Sequence, residues 1–72
     1  MKAGEIVTLF MDWSKGLVIM DFKLLPKAYK RGGEIYYRLE SVKGKQFEIR
    51  LTKAQLASAM KCDEVKVTSI KF

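Results

Sequence analysis

Apolar and polar residues alternate with the two-residue period of β-strands over most of the first 51 residues. Residues 5–13 and 17–25 are predicted to form a first hairpin, because a turn with Gly16 at positive φ separates them. Ile6 and Phe10 also fit a helical spacing, but the β-branched and aromatic content of residues 5–13 favours a strand. The side chains predicted to share one face of this hairpin are Val7, Leu9, Met11, Trp13, Val18, Met20, Phe22 and Leu24.

A second hairpin is predicted from residues 35–42 and 46–51, joined by a short turn that contains Gly44. Between the two hairpins, residues 26–33 are predicted to be a long loop, because Pro26 cannot donate a ladder hydrogen bond and a glycine pair ends the segment. In the second hairpin, the residues expected to point inward are Ile35, Tyr37, Leu39, Phe47, Ile49 and Leu51. Those expected to point outward are Tyr36, Arg38, Glu40, Gln46, Glu48 and Arg50.

Residues 52–61 are predicted to form a short helix. Thr52 and Gln55 have the spacing of a capping box, in which each side chain accepts a hydrogen bond from the other residue's backbone N–H. Residues 63–72 are rich in β-branched residues and are predicted to be a last strand with Val65 and Val67 inward. The expected fold is therefore a single mainly-β (α+β) domain over residues 1–72. It would be a five-stranded antiparallel barrel or sheet of OB-like or SH3-like type, with one short helix before the last strand.

A different fold is possible for the C-terminal third of the chain. The spacing of apolar and small residues over residues 49–70 resembles the helix-turn-helix of winged-helix transcription regulators. The positions that carry this resemblance are Leu56, Ala57, Met60, Cys62, Val67 and Ile70. The resemblance implies β-hairpins followed by a helix-turn-helix that binds duplex DNA, with Glu64, Lys66, Thr68 and Ser69 facing the major groove.

The composition argues against catalysis and against a cofactor. The chain has no histidine, which removes the commonest acid–base catalyst and the commonest metal ligand, so neither an enzyme nor a metal site is expected. Cys62 is the single cysteine and is expected to be a small buried residue rather than a nucleophile. We find no signal peptide and no apolar run of membrane-spanning length, so we expect a cytoplasmic protein that does not bind membranes.

The net charge of +6 is concentrated in one part of the chain. Residues 26–62 contain nine basic and three acidic side chains, whereas the charges of residues 1–25 and of residues 63–72 each sum to zero. Cations that follow phosphates, together with aromatic rings that stack on bases, are typical of surfaces that bind single strands. We therefore expect a non-enzymatic nucleic-acid-binding protein that favours single-stranded DNA or RNA. The candidate binding residues are Lys27, Tyr29, Lys30, Arg31, Tyr36, Arg38, Lys43, Lys45 and Arg50.

The same charge distribution permits a protein partner. The chain could be a small protein-binding module or inhibitor whose basic surface docks on an acidic surface of a host protein. In that case the last predicted strand, residues 64–72, could offer its edge to the partner. The same edge could pair two copies of the chain as a homodimer, which would enlarge a core that is marginal at this length.

Overall fold

The computed structural model describes residues 1–68, 70 and 71, and for Trp13 the backbone alone. It contains five strands and one helix in the described part of the chain. Their bounds are β1 (Ile6–Trp13), β2 (Gly16–Leu24), β3 (Tyr29–Arg31), β4 (Glu34–Ser41), β5 (Glu48–Thr52) and α1 (Lys53–Ala59). The predicted mainly-β architecture with one short helix is confirmed.

The five strands form one antiparallel sheet, which is open and not a closed barrel. The strand order is β1-β2-β4-β3, and β5 also pairs with β4. Closure would require β1 to pair with a second strand. Within the described residues β1 pairs with β2 alone. The prediction of an antiparallel sheet is thus confirmed, and the alternative of a barrel is wrong.

The first hairpin forms as predicted. Its register runs without interruption from Ile6 opposite Lys23 to Trp13 opposite Gly16, and Gly16 has a φ of 114°. The predicted inward face is confirmed, since Leu9 and Phe22 are fully buried and their alternate neighbours pack against the same core. The expectation for the Trp13 side chain lies outside the described part of the structure.

The second hairpin also forms, between β4 and β5. Its register runs from Tyr36 opposite Thr52 to Glu40 opposite Glu48. Beyond the last pair, the buried Ser41 hydroxyl accepts a hydrogen bond from the Phe47 N–H at 3.0 Å and donates one to a backbone carbonyl at 3.3 Å. This arrangement holds Phe47 inward as predicted, where its ring meets the Phe22 ring edge-on.

The predicted long loop at residues 26–33 is wrong in its second half. Residues Tyr29–Arg31 form β3, which pairs with β4 from Tyr29 opposite Tyr36 to Arg31 opposite Glu34. Gly32 and Gly33 have φ values of 59° and 81°, as a two-residue type I′ hairpin turn requires at both central positions. The glycine pair thus reverses the chain within a hairpin and does not simply end a loop.

Helix α1 is capped at both ends. The Gln55 N–H donates to the Thr52 hydroxyl at 3.2 Å and the Thr52 N–H donates to the Gln55 amide oxygen at 3.0 Å, which confirms the predicted capping box. The helix terminates at Met60, and Lys61 follows with a φ of 60°. Cys62 is exposed, contrary to prediction. Its thiol lies beyond the end of α1 and donates a hydrogen bond to the Ala57 carbonyl at 3.6 Å.

The predicted last strand is wrong for the described part of residues 63–72, and so is the second helix that a helix-turn-helix requires. Residues 63–68 and 70 are irregular, and Lys71 makes one isolated bridge to Lys27. The N-terminus fixes this segment, because the Met1 ammonium donates to the Lys66 carbonyl at 2.7 Å and the Thr68 N–H donates to the Met1 carbonyl at 2.8 Å. The expectations for Ser69 and Phe72 lie outside the described residues.

The helix and the C-terminal segment cover one face of the sheet. Leu56, Ala57 and Val65 join the inward side chains of the strands in a single core, and Val67 packs against it, so both predicted inward valines are confirmed. The other face of the sheet, here called the outer face, has no helix over it in the described part of the chain. No helix among the described residues has the length and apolar character to cross a membrane.

Candidate nucleic-acid interface

The outer face of β3, β4 and β5 brings together most of the predicted binding residues. Strand alternation places Tyr29 of β3, Tyr36 and Arg38 of β4, and Arg50 of β5 on this side of the sheet. The register sets Tyr29 opposite Tyr36 and Arg38 opposite Arg50. We call this surface the aromatic–arginine face and define it by Lys27, Tyr29, Tyr36, Arg38, Glu48 and Arg50.

The two tyrosines of this face stack on each other. Their ring centroids lie 5.3 Å apart with an angle of 17° between the ring planes. The Arg50 guanidinium carbon lies 5.0 Å from the centroid of the Tyr29 ring, which is within the range of a cation–π contact. Each ring is half-buried. The stacking and the cation–π contact therefore restrict the orientation of the two rings.

Glu48 connects the two arginines. The Arg38 guanidinium donates two hydrogen bonds to the Glu48 carboxylate, at 2.8 and 3.1 Å, and Arg50 donates a third at 3.1 Å. The two hydrogen bonds from Arg38, followed by the one from Arg50, hold the pKa of Glu48 below its ordinary value. The bond to Glu48 likewise raises the pKa of the Arg38 guanidinium. The single negative charge of Glu48 thus balances part of the positive charge of the two arginines in the free protein.

Two shallow recesses adjoin the tyrosine pair. Lys27, Ala28, Tyr29, Arg38 and Arg50 line one of them, with a volume of about 280 Å³. The other is lined by Tyr29, Arg31, Gly32, Glu34 and Tyr36 and measures about 450 Å³. The first recess has cations on several sides and an aromatic wall, which suits a phosphate next to a base. The second adds Arg31 at the margin of the face, beside the opposing charge of Glu34.

Three of the predicted binding residues lie away from this face. Lys30 is opposite Ile35, so its side chain belongs to the other side of the sheet from Tyr29. Lys43 and Lys45 are exposed on the connection between β4 and β5, and Lys43 lines a recess with Ile19 and Asp21 of β2. The structure therefore groups Lys27, Tyr29, Arg31, Tyr36, Arg38 and Arg50, and separates the remaining three lysines from them.

The prediction from sequence missed the role of Glu48. Its outward orientation was expected, but its position between two arginines depends on the register of β4 against β5. The alternation of Glu48 and Arg50 places both on one face, and pairing the hairpin symmetrically about its turn would have brought Arg38 opposite Arg50. The register was the signal that could have identified this triad.

The surroundings of the face offer no further chemical assignment. Among the described residues, no group of three or more acidic or cysteine side chains is arranged to hold a metal ion. No family model matches the chain, and neither a curated protein nor a solved structure is detectably similar to it. The function must therefore be inferred from the geometry of the chain itself.

Proposed function

We propose that this protein binds single-stranded nucleic acid on the aromatic–arginine face and does so without catalysis. The observation that carries the proposal is that a stacked tyrosine pair lies beside two arginines and Lys27 on the uncovered side of an antiparallel sheet. Proteins that bind single strands combine cations for the phosphates with aromatic rings for the bases. Both components are here on neighbouring strands.

In the proposed complex, phosphates contact Lys27, Arg38 and Arg50, and a base stacks on the exposed side of the tyrosine pair. Because Tyr29 and Tyr36 already contact each other, the base adds to the stack and does not enter between the rings. The phosphates compete with the Glu48 carboxylate for the same guanidinium donors. Binding of this kind depends on salt and carries little sequence preference.

Single strands are favoured over duplexes because a tyrosine can stack only on a base whose face is accessible. A duplex would offer its phosphates to the same cations but no base to Tyr36. The expected OB-like or SH3-like relationship and the cytoplasmic location belong to the same proposal. OB-folds bind oligonucleotides on a strand surface of comparable chemistry.

A titration with fluorescein-labelled oligothymidylate, followed by anisotropy and by amide chemical shifts, tests the proposal. At low salt we expect binding to the single strand that weakens as salt rises, and weaker binding to a duplex of equal length. The largest shift changes should fall on Tyr29, Tyr36, Arg38 and Arg50. Absence of binding at low salt, or shift changes confined to other parts of the sheet, would contradict the proposal.

A second candidate function is docking on an acidic protein surface. The observation that favours it is the preformed cluster of two tyrosines and an arginine, since tyrosine and arginine are enriched among the residues that dominate protein interfaces. Acidic side chains of a partner would take the place of phosphates at Arg38 and Arg50. This candidate predicts no binding to oligothymidylate at low salt and loss of a protein partner on Tyr36→Ala substitution.

A further inference from the structure

Strand β1 is a long sheet edge with few of the features that usually protect edges. It spans eight residues and pairs with β2 alone in the described part of the chain. Natural edge strands are commonly protected by lysines, prolines or bulges. Although the chain has 14 basic residues, Ile6–Trp13 contains none, contains no proline, and pairs with β2 in an unbroken register; its single charged side chain is Asp12, next to the turn. This edge is therefore open to another strand.

An apolar strip lies beside this edge on the outer face of the first hairpin. Ile6 of β1 is 57% exposed, and Leu17 and Ile19 of β2 are 56% and 57% exposed. Phe10, half-buried, is directly opposite Ile19. The hydrogen-bonded Thr8–Asp21 pair lies between Ile6 and the group formed by Phe10, Ile19 and Leu17. Grouped, exposed large apolar side chains on a small protein indicate a surface that another molecule covers.

The backbone groups of β1 that point away from β2 can pair with the same groups of a second copy. The Leu24 N–H donates to the Glu5 carbonyl, so alternate β1 residues point their backbone groups toward β2. The residues between them, Ile6, Thr8 and Phe10, point theirs away. A two-fold axis at Thr8 would set Thr8 opposite the second copy's Thr8 and Ile6 opposite the second copy's Phe10. Threonine pairs and apolar pairs are both favourable neighbours across strands.

We infer that the β1 edge is the interface of a homodimer in which two copies pair antiparallel about Thr8 and form one continuous sheet. The apolar strips of the two copies then adjoin across the axis and cover the exposed Ile6 side chains. The inferred interface is independent of nucleic-acid binding, because β1 pairs with β2 alone among the described strands and the aromatic–arginine face lies on β3, β4 and β5.

The charge distribution is compatible with this pairing in spite of the net charge of +6. The hairpin β1–β2 is neutral, since Asp12 and Asp21 balance Lys15 and Lys23. The aromatic–arginine face of each copy is centred on β4, and five strand spacings separate the two β4 strands in the joined sheet, so the two faces would lie roughly 24 Å apart at ordinary strand spacing. That separation exceeds the Debye length of about 8 Å at physiological salt, so their repulsion is screened.

Sedimentation velocity of the full chain over a range of concentrations tests whether the dimer exists. We expect a species of twice the 8.3 kDa chain mass that dissociates on dilution. Phe10→Lys, and separately Ile6→Lys, should shift the sedimenting species to the monomer while circular dichroism stays unchanged. The matched control is Val42→Lys, an exposed apolar residue (42%) outside β1, which should remain dimeric. A wild type that is monomeric at every concentration would overturn the proposal, as would dimers that persist in both β1 variants.

Disulfide trapping tests the register. In a Cys62→Ser background, Thr8→Cys would place two thiols at a hydrogen-bonded antiparallel pair, whose Cα separation of about 5.5 Å lies within the range of disulfides. We expect covalent dimers from Thr8→Cys and few from Leu17→Cys, which is exposed but removed from the axis. Equal trapping at both positions would contradict the pairing about Thr8.

Discussion

Arg38 and Arg50 lie directly opposite each other on β4 and β5 and donate hydrogen bonds to the same carboxylate, that of Glu48. Like charges at opposite positions of an antiparallel pair are unfavourable, so Glu48 is what permits this arrangement in the free protein. The carboxylate also occupies donors that a phosphate would need. We therefore expect Glu48 to stabilise the face and to weaken its affinity for the proposed phosphate ligands.

Glu48→Gln should strengthen binding to oligothymidylate by about threefold to tenfold at low salt, because it removes one negative charge beside the phosphate contacts. The same substitution should lower the free energy of unfolding, since the two arginines lose their shared counter-charge. Anisotropy titrations and urea denaturation measure the two effects. Glu64→Gln is the control, as it makes the same charge change at an exposed position beyond the helix and should alter binding less. Equal gains in both variants would show that net charge alone is responsible.

The stability of the protein should depend on Glu48 at acidic pH. Its pKa is below the ordinary value of 4.5, so its contribution is complete above that value and is lost as the pH falls through the lowered pKa of the folded state. Wild type should therefore lose more stability than Glu48→Gln between neutral pH and about pH 3. Urea denaturation at a series of pH values measures this difference. Parallel pH profiles for the two proteins would contradict the triad.

Lys61→Gly should stabilise the protein by about 0.5–1 kcal/mol, because the residue after the helix adopts a positive φ that glycine accepts at less cost. The surrounding backbone already makes the matching bonds: the Cys62 N–H donates to the Ala57 carbonyl at 3.0 Å and the Lys61 N–H to the Ser58 carbonyl at 3.1 Å. Thermal or urea denaturation would detect the gain. Lys61→Ala is the control and should not stabilise, because alanine keeps the steric cost; equal gains would assign the effect to loss of the lysine charge.

The sequence was most informative where a local pattern and the packing agree. The capping box at Thr52 and the alternation of the two hairpins are set by side chains within a few residues of one another, and both form as predicted. Val65 and Val67 also face the core, although the chain that carries them is not a strand. Hydrophobic spacing predicted which side chains are inside more securely than it predicted secondary structure.

The errors arose where contacts between residues far apart in the sequence determine the backbone conformation. The composition of residues 63–72 favours a strand, but its backbone is engaged by Met1 at the other end of the chain. Pro26 favours a loop over residues 26–33, and the prediction therefore lacks β3. This strand is only three residues long, and the two glycines at positions 32 and 33 form the hairpin turn that joins it to β4. The sequence indicated which types of residue form the candidate site. Which of them lie together, and that Glu48 lies between two arginines, depends on the register of the strands.

The most direct test of the proposed interface compares Tyr36→Ala and Arg38→Ala with wild type in binding to oligothymidylate over a range of salt concentrations. Tyr36→Ala should weaken binding by about tenfold with an unchanged salt slope, because it removes a base stack but no phosphate contact. Arg38→Ala should reduce the salt slope by about 0.7, the value for one phosphate of a single strand. Tyr36→Phe retains the ring and should bind as wild type does. Affinities and slopes that equal the wild-type values in both alanine variants would contradict single-strand binding on the aromatic–arginine face.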